Sequence, residues 1–531
     1  MLLLLSSYMM TVAAVVPGQV PADRSPSQNT ENGPAGSRSH TDSGLGVKAE
    51  RYRACVRRCL DNLVKYGTDR YGPVHSPMLM NVIDIRTNES PLKPDWLDIP
   101  VRMEGRDHRR CMGGSNLWMD QPTIQAMYAF SDVSGDGKYA RATDAYVKYT
   151  FEHCRKPNGL PVWGSHIFWN CYTEVIDGDP ATQHETCSNR PVLGRMWKVI
   201  PRELKEYADL VWEYHVVNKE TGETNRHDDK RRGLDFCFCQ GVYISTQAFI
   251  YSQTKDEEYL RRTRILANRH WNARNKETNI APSTPSAAEI EPAPRYDGLH
   301  MFTDLPGPHC QHLLDAHRYT GDAMFKDHAV AYLKAYAKYG YDAETGNYWG
   351  MLKLDGTPVA EQPKGKGYDQ YMPTGYSITW PAIMLGYEYP LVAAQSYLRA
   401  YAVDPDPDLL AGAKQWARHI RNDLPPKTDR RWKDELYKAM PTVKDHEGTY
   451  ADNYGRAISF FVRLYDVTKD AADLQTAIAL ADEAVDKLYE NGWFKGHPAK
   501  PYYEGTDGVG HLLYALTELA VYPKLLADGP P

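Results

Sequence analysis

The sequence predicts an all-α protein: a closed α/α toroid of six to seven helical hairpins, with long loops gathered on one rim. Three observations predict it. A Ser/Thr-Gly/Lys-Asp turn recurs along the chain, each time followed by an amphipathic helical pattern. A second, less charged helical pattern precedes each turn, as expected of a helix buried on both sides. One helix at each end of the chain has no hairpin partner, and pairing the two closes the ring.

The first helix, 48–66, is one of the unpaired pair. An inner pattern at 122–131 then leads through Ser134-Gly135-Asp136 into an outer helix at 138–154. A weaker copy starts at Pro201 and runs over 203–215. The third hairpin joins 239–253 to 257–271 through Thr254-Lys255-Asp256, and the fourth joins 309–319 to 324–339 through Thr320-Gly321-Asp322. The fifth joins 391–401 to 409–423 through Asp404-Pro405-Asp406, and the sixth joins 455–465 to 472–489 through Thr468-Lys469-Asp470. In the last of these, Leu474, Ile478, Ala481 and Val485 recur at three- and four-residue intervals, the signature of one apolar helix face. The closing helix is 507–521. An open solenoid needs polar capping helices, yet Gly510-His-Leu-Leu-Tyr-Ala-Leu reads as an inner helix, which favours closure.

In a toroid of this kind the short turns share one rim and the long loops share the other. The long loops are 71–121, 158–196, 218–238, 272–308, 341–390, 425–454 and 491–507. Loops of this length usually carry function.

The chain has 531 residues, 42% hydrophobic and 24% charged, with a net charge of −6. These values exclude wholesale disorder and a polytopic membrane protein, and they lack the basic footprint of a nucleic-acid binder. Tyr (37) and Trp (12) far outnumber Phe (11), which suits either a sugar-lined groove or a helical core. Nine cysteines without a Cys-x-x-Cys spacing read mainly as buried thiols rather than a disulfide scaffold. Residues 1–22 read as a signal peptide, 23–47 as a disordered linker rich in Pro, Ser and Gly, and 48–525 as the barrel. Export to the periplasm or medium is the expectation, with no stable membrane insertion.

Three windows in consecutive long loops carry metal-ligand chemistry: Trp163-Gly164-Ser165-His166, His184-Glu185-Thr186-Cys187 and Asn225-Arg226-His227-Asp228. Two imidazoles and a carboxylate form an ordinary ligand set for a first-row divalent cation. A loop His beside a carboxylate is also common as a plain hydrogen-bonded group, so the residues by themselves leave both readings open.

These windows resemble the family 2 polysaccharide lyases, pectate lyases built on an α/α barrel. Trp212-Glu-Tyr-His-Val-Val, ahead of Asn225-Arg-His, resembles that family as well. The family has Gly where Ser165 and Asp228 stand here. The resemblance implies that His166, Glu185 and His227 bind a divalent metal, typically manganese, and that Arg226 is the base of a β-elimination. It implies an acidic, uronic-acid-containing polysaccharide as substrate. An ion pair with Asp228 or Asp229 is the structural alternative for Arg226. The family also uses a second Arg near the scissile bond, for which Arg295 is the choice here.

Other loop residues suit an anionic sugar chain. Arg456 and Lys500 would hold carboxylates, while Trp163, Tyr450, Tyr502 and Tyr503 would stack on rings. Asp120-Gln121-Pro122 reads as a helix N-cap with Pro close behind. Two rival functions remain. One is a glycoside hydrolase on the same barrel, working through a carboxylate pair drawn from Asp120, Glu504 and Asp507. The other is a helical-repeat binding protein with an open solenoid.

Overall fold

Helix ends in this chain are set by the recurring turn. Gly135, Lys255, Gly321 and Lys469 adopt left-handed backbone conformations (φ between 55° and 75°), which end the helices before them. The Asp that follows starts the next helix. Asp256, Asp322 and Asp470 each accept a hydrogen bond from a backbone N–H two residues on, at 3.0 Å. The Thr before each αL residue accepts the Asp backbone N–H, at 3.3, 3.1 and 3.1 Å. The turn is therefore a stop and a start in three residues.

The computed structural model describes residues 40–92, 111–164, 167–178, 183–186, 189–290, 298–359, 389–424, 448–524, 526 and 529–530. Outer helices are α1 (His40–Tyr66), α3 (Lys138–His153), α5 (Pro201–Tyr214), α7 (Glu257–Ala273), α9 (Ala323–Tyr339), α11 (Pro407–Asp423) and α13 (Ala471–Leu488). Inner helices are α2 (Gln121–Ser134), α4 (Leu193–Val199), α6 (Cys237–Thr254), α8 (Cys310–Thr320), α10 (Tyr389–Val403), α12 (Ala451–Thr468) and α14 (Val509–Val521). The first helix is described from His40, ahead of the boundary expected at 48. Gly44 and Gly46 are poor helix formers, which is why this stretch reads as linker in sequence.

The long inner helices are largely buried, and every residue of α14 from Val509 to Ala520 is buried; the short α4 buries only Leu193 and Met196. Outer helices bury one stripe, as in Leu204, Tyr207, Ala208, Val211 and Trp212 of α5. Around the inner ring, α6 packs on α8, α10 on α12, α12 on α14 and α14 on α2. The short α4 bridges the rest, with Arg195 paired to Asp132 of α2 and Trp197 against Phe249 of α6.

Closure is made by α1. Its Tyr52 hydroxyl donates to Asp482 of α13 (2.7 Å), and its Asp61 accepts from Tyr139 of α3 (2.7 Å). Arg53 donates to the Ala520 carbonyl at the end of α14 (2.7 Å), so α1 and α14 make the seventh hairpin. Short strands line the long-loop rim. β1 (Val82–Asp84) pairs antiparallel with β5 (Tyr502–Glu504), and β2 (Gly114–Ser115), β3 (Ile167–Asn170) and β4 (Val175–Gly178) form a three-stranded sheet. Residues 44–531 form one compact unit. A closed ring removes the concave groove that an open helical-repeat binding protein would use.

Candidate functional site

The site is built where three loops of the long-loop rim meet. The first follows α3 and passes through Trp163 and Gly164. Asn116, just after β2, clamps it by donating to the carbonyls of Gly164 (2.6 Å) and Ile167 (3.1 Å). Gly164 has φ +131°, and a Cβ there would stand 2.5 Å from the Glu185 carbonyl oxygen. Only glycine lets this loop press on the second one.

The second and third loops touch as a single antiparallel bridge between Glu185 and His227. Thr186 N–H donates to the Arg226 carbonyl (3.1 Å), and Arg226 N–H donates to the Leu234 carbonyl (3.2 Å). The bridge fixes Glu185, Arg226 and His227 on adjoining backbone. Arg226 Nε lies 3.0 Å from Glu185 Oε1 and 3.2 Å from His227 Nε2, and the imidazole nitrogen lies 3.6 Å from the same carboxylate oxygen. The guanidinium also stacks over Phe236, 5.1 Å from its ring centre. Side-chain exposure grades the three: Glu185 1%, His227 7%, Arg226 22%. The arginine is thus the member that solvent and ligands reach.

A second tier holds the third loop from behind. Asp228 pairs with Lys156 and accepts from Asn158 Nδ2 (2.8 Å) and His184 N–H (3.1 Å). The Nδ1 of His184 lies 2.8 Å from Nε2 of His215, whose Nδ1 lies 2.9 Å from the Asn225 carbonyl. Burial lowers the pKa of both imidazoles, His215 to about 4, so the tier is neutral apart from the Lys156–Asp228 pair. The alternative partners for Arg226 are engaged elsewhere: Asp228 with Lys156, and Asp229 with Arg231 (2.7 Å).

The separation of the donor pair is that of two ligands on one divalent cation. Two ligands at roughly 2.1 Å on a tetrahedral ion stand about 3.4 Å apart, close to the observed 3.6 Å. Both acceptors already converge on one cationic group, the Arg226 guanidinium. Among the described residues no three His, Cys, Asp or Glu side chains gather closely enough to hold a metal by themselves. The third expected ligand, His166, lies outside the described residues, as does Arg295.

The residues expected to meet sugar are placed differently. Trp163 is 1% exposed, its ring enclosed by Trp118, Phe151 and Tyr207. It braces the loop from within and offers no open face. Lys500 is buried and bridges Glu504 (2.9 Å) and Asp507 (2.6 Å). Tyr450 packs on His497, Tyr502 and Tyr503 are buried in β5, and Tyr503 pairs its hydroxyl with Thr123 (3.2 Å). Arg456 bonds Asp452 (2.7 Å) and His511 (3.0 Å) and lines a narrow interior cavity. Patterns of Arg, Lys and Tyr at inner-helix starts look the same whether they line a groove or cement the loop layer; the contacts these residues make among the described residues are with neighbouring acids and rings.

Asp120 is also a correction. Pro122 does lie in the first turn of α2, but the Asp120 side chain makes no capping bond. It accepts from the Tyr146 hydroxyl (2.8 Å), and burial raises its pKa to about 7. With Glu504 and Asp507 also fully buried, the carboxylates of the hydrolase alternative stand away from solvent. Sequence reasoning did not find Phe236, Lys156 or Asn116, which no motif distinguishes from other core residues.

Fold and site together define an α/α toroid whose long-loop rim carries a buried Glu–His pair and a partly open Arg. Residues 77–234 match the family described as periplasmic pectate lyase, a span that holds all three windows. A 192-residue stretch is 23% identical to the pectate disaccharide-lyase of Dickeya dadantii (strain 3937), covering 35% of this chain and 32% of that protein. The chain thus matches about a third of its relative's length. The resemblance to the family 2 polysaccharide lyases is therefore shown over residues 77–234, and both matches are to carbohydrate-active enzymes. Among solved structures, the chain is similar to the α-1,6-mannanase of Salegentibacter sp. HEL1_6 (TM-score 0.44, 8% identity, 88% of this chain and 99% of that one). It is also similar to the cellobiose 2-epimerase of Bacillus thermoamylovorans B4167 (TM-score 0.46, 10% identity, 89% and 99%). Among the described residues no helix is long and apolar enough to cross a membrane.

Proposed function

We propose that this protein is an exported polysaccharide lyase that cleaves a uronic-acid-containing, pectate-like polymer by metal-assisted β-elimination. The observation that carries the reading is the Glu185–His227 bridge with Arg226 Nε within 3.2 Å of both ligand atoms. Glu185, His227 and His166 would hold the cation, manganese by family resemblance. A divalent cation held there would neutralise the uronate carboxylate and stabilise the charge that develops beside it.

The chain's own residues supply the rest. Arg226, the exposed member, faces the substrate and meets the uronate at its carboxylate and C5 hydrogen. In the elimination the C5–H bond breaks, a C4–C5 double bond forms, and the C4–O bond to the leaving sugar breaks. As the base, Arg226 would enter the step as the neutral guanidine and leave it as the guanidinium, carrying the C5 proton, while the departing C4 oxygen takes a proton from water. A free guanidinium has a pKa above about 12, so its position beside Glu185 and His227 matters more than its intrinsic basicity. Phe236 keeps water from one face of the guanidinium. Lys156, Asp228 and Asn116 hold the loops, so that these groups need no rearrangement at the moment of reaction.

The test is the ultraviolet absorbance of 4,5-unsaturated uronides, followed on a panel of uronic-acid polymers with and without chelator. Absorbance growth on polygalacturonate that chelator abolishes and divalent metal restores is the expected result. Cleavage without an unsaturated product, or cleavage indifferent to chelator, refutes the reading.

A further inference from the structure

The second and third loops of the site share one support, the end of the outer helix α5. His215 closes that helix, its N–H donating to the Val211 carbonyl (2.9 Å). It holds Asn225 twice: the Asn225 N–H donates to the His215 carbonyl (2.7 Å), and the His215 ring meets the Asn225 carbonyl through Nδ1 (2.9 Å). Asn225 passes the constraint on, because its side-chain oxygen accepts the His227 backbone N–H (2.8 Å). The other ring nitrogen of His215, Nε2, reaches the second loop at Nδ1 of His184 (2.8 Å), the residue before Glu185. His184, His215 and Asn225 are all buried.

The bonds have one polarity. A carbonyl oxygen only accepts, so the proton facing Asn225 sits on His215 Nδ1. In the neutral ring Nε2 is then a bare lone pair, and His184 Nδ1 carries the proton between the two imidazoles. Tyr243 of α6 closes the far side: its hydroxyl donates to the same Asn225 carbonyl (3.2 Å) and lies 2.9 Å from His215 Nδ1. His184 Nε2 has no hydrogen-bond partner among the described residues. Each histidine therefore works in one ring orientation and through identified nitrogens, His184 through Nδ1 and His215 through both.

We propose that His215 is a positioning residue for the loop cluster, setting Glu185 against Arg226 and His227 through His184 on one loop and Asn225 on the other. The proposal rests on the lyase reading of that cluster. The Glu185–His227 bridge joins the two loops at the site itself. His215 joins them a second time from α5, and two fastenings remove the hinge that either alone leaves. Such outer partners fix the orientation of groups that hold a metal.

The experiment uses which nitrogen each ring employs. The amide of Asn stands near the Nδ1 position of a histidine, and that of Gln, one carbon longer, near Nε2. His184→Asn and His215→Gln therefore keep the link between the two residues, whereas His184→Gln and His215→Asn lose it. A merely structural role predicts no such crossed pattern. Three quantities are measured on the full-length proteins: Mn2+ affinity by calorimetry, the rate of unsaturated-product formation and, without metal, solvent exchange of the Arg226 Nε–H by NMR. His184→Gln and His215→Asn lower metal affinity and rate by about ten- to a hundredfold, the effect of losing an outer partner of a ligand, and their Arg226 Nε–H exchanges faster. His184→Asn and His215→Gln stay near the unmodified protein. Should one variant fail to fold, the pair at the other histidine supplies the contrast. Equal behaviour of all four variants overturns the proposal, as does an Arg226 Nε–H that already exchanges freely in the unmodified protein. An unmodified protein that binds no metal and forms no unsaturated product refutes the lyase reading instead, and the Arg226 exchange pattern still decides the role of His215.

Discussion

At the scale of single residues, Arg226 decides what the loop cluster does. Its Nε touches the two acceptors that would ligate a metal, while its side chain remains the most exposed of the three. Lys in its place keeps the charge but loses the planar fork and the stacking over Phe236. Arg226→Lys is expected to lower the elimination rate at least about a hundredfold while metal content stays near that of the unmodified protein. A near-normal rate removes Arg226 from the chemistry, and loss of the metal makes its role structural.

At the scale of elements, the site depends on how three loops press together. The contact between the first and second is set by Gly164, whose positive φ and missing Cβ let Glu185 come close. Gly164→Ala adds an atom 2.5 Å from the Glu185 carbonyl oxygen in a conformation L side chains avoid. The Glu185 strand must then shift. Metal affinity and elimination rate are each expected to drop by about ten- to a hundredfold, the cost of disturbing the support of a ligand. Far-UV circular dichroism should stay unchanged, because the helices do not rest on this contact. Unaltered metal binding in this variant would show that the bridge tolerates displacement and that Glu185 is not held as described.

At the scale of the whole molecule, burial makes the toroid acid-sensitive. His309 and His328 have their pKa lowered to about 4 and His312 to about 3, with burial the leading cause in each. Burial also lowers His270 and His511 well below the ordinary imidazole value. An unfolded imidazole titrates near about 6.5. Between there and about 4 the unfolded chain binds more protons than the folded one, so stability is lost as pH falls through this window. Asp120, raised to about 7, and Asp235, raised to about 6, act in the opposite sense, losing stability as pH rises from the carboxylate range. Among the described residues seven lowered histidines, His184 and His215 included, stand against five raised carboxylates, Asp69, Asp452 and Glu518 included, and carboxylates held down by arginines, such as Glu258 and Asp315, add to the loss at acid pH. Thermal unfolding followed from pH 7 to pH 4 is therefore expected to show a falling Tm, and His328→Gln, which cannot be protonated, a shallower fall. A flat profile would mean that the histidines are hydrated in the folded state.

What the sequence by itself determined is the helical rhythm. The turn residues carry their own local physics: Gly135 or Lys255 accepts a left-handed backbone, Asp256 or Asp470 caps the next helix, and apolar residues at three and four fix each buried face. These are short-range effects, so hairpin positions and ring closure were legible; family resemblance named Glu185, Arg226 and His227 as candidates, and the structure brings these three side chains together. Only the tertiary structure decided which charged and aromatic loop residues point outward. Lys500, Arg456, Tyr450, Tyr502, Tyr503 and Trp163 have the composition of a sugar groove, yet Lys500 and Arg456 pair with acids one turn away, Tyr502 and Tyr503 are buried in a strand paired to β1, and Tyr450 and Trp163 pack among rings of distant segments. Tertiary contact likewise gave Arg226 to Glu185, 41 residues away, instead of Asp228, two residues on. A local pattern names the groups available for pairing, but burial and long-range partners, which depend on how the ring closes, settle which pairs form.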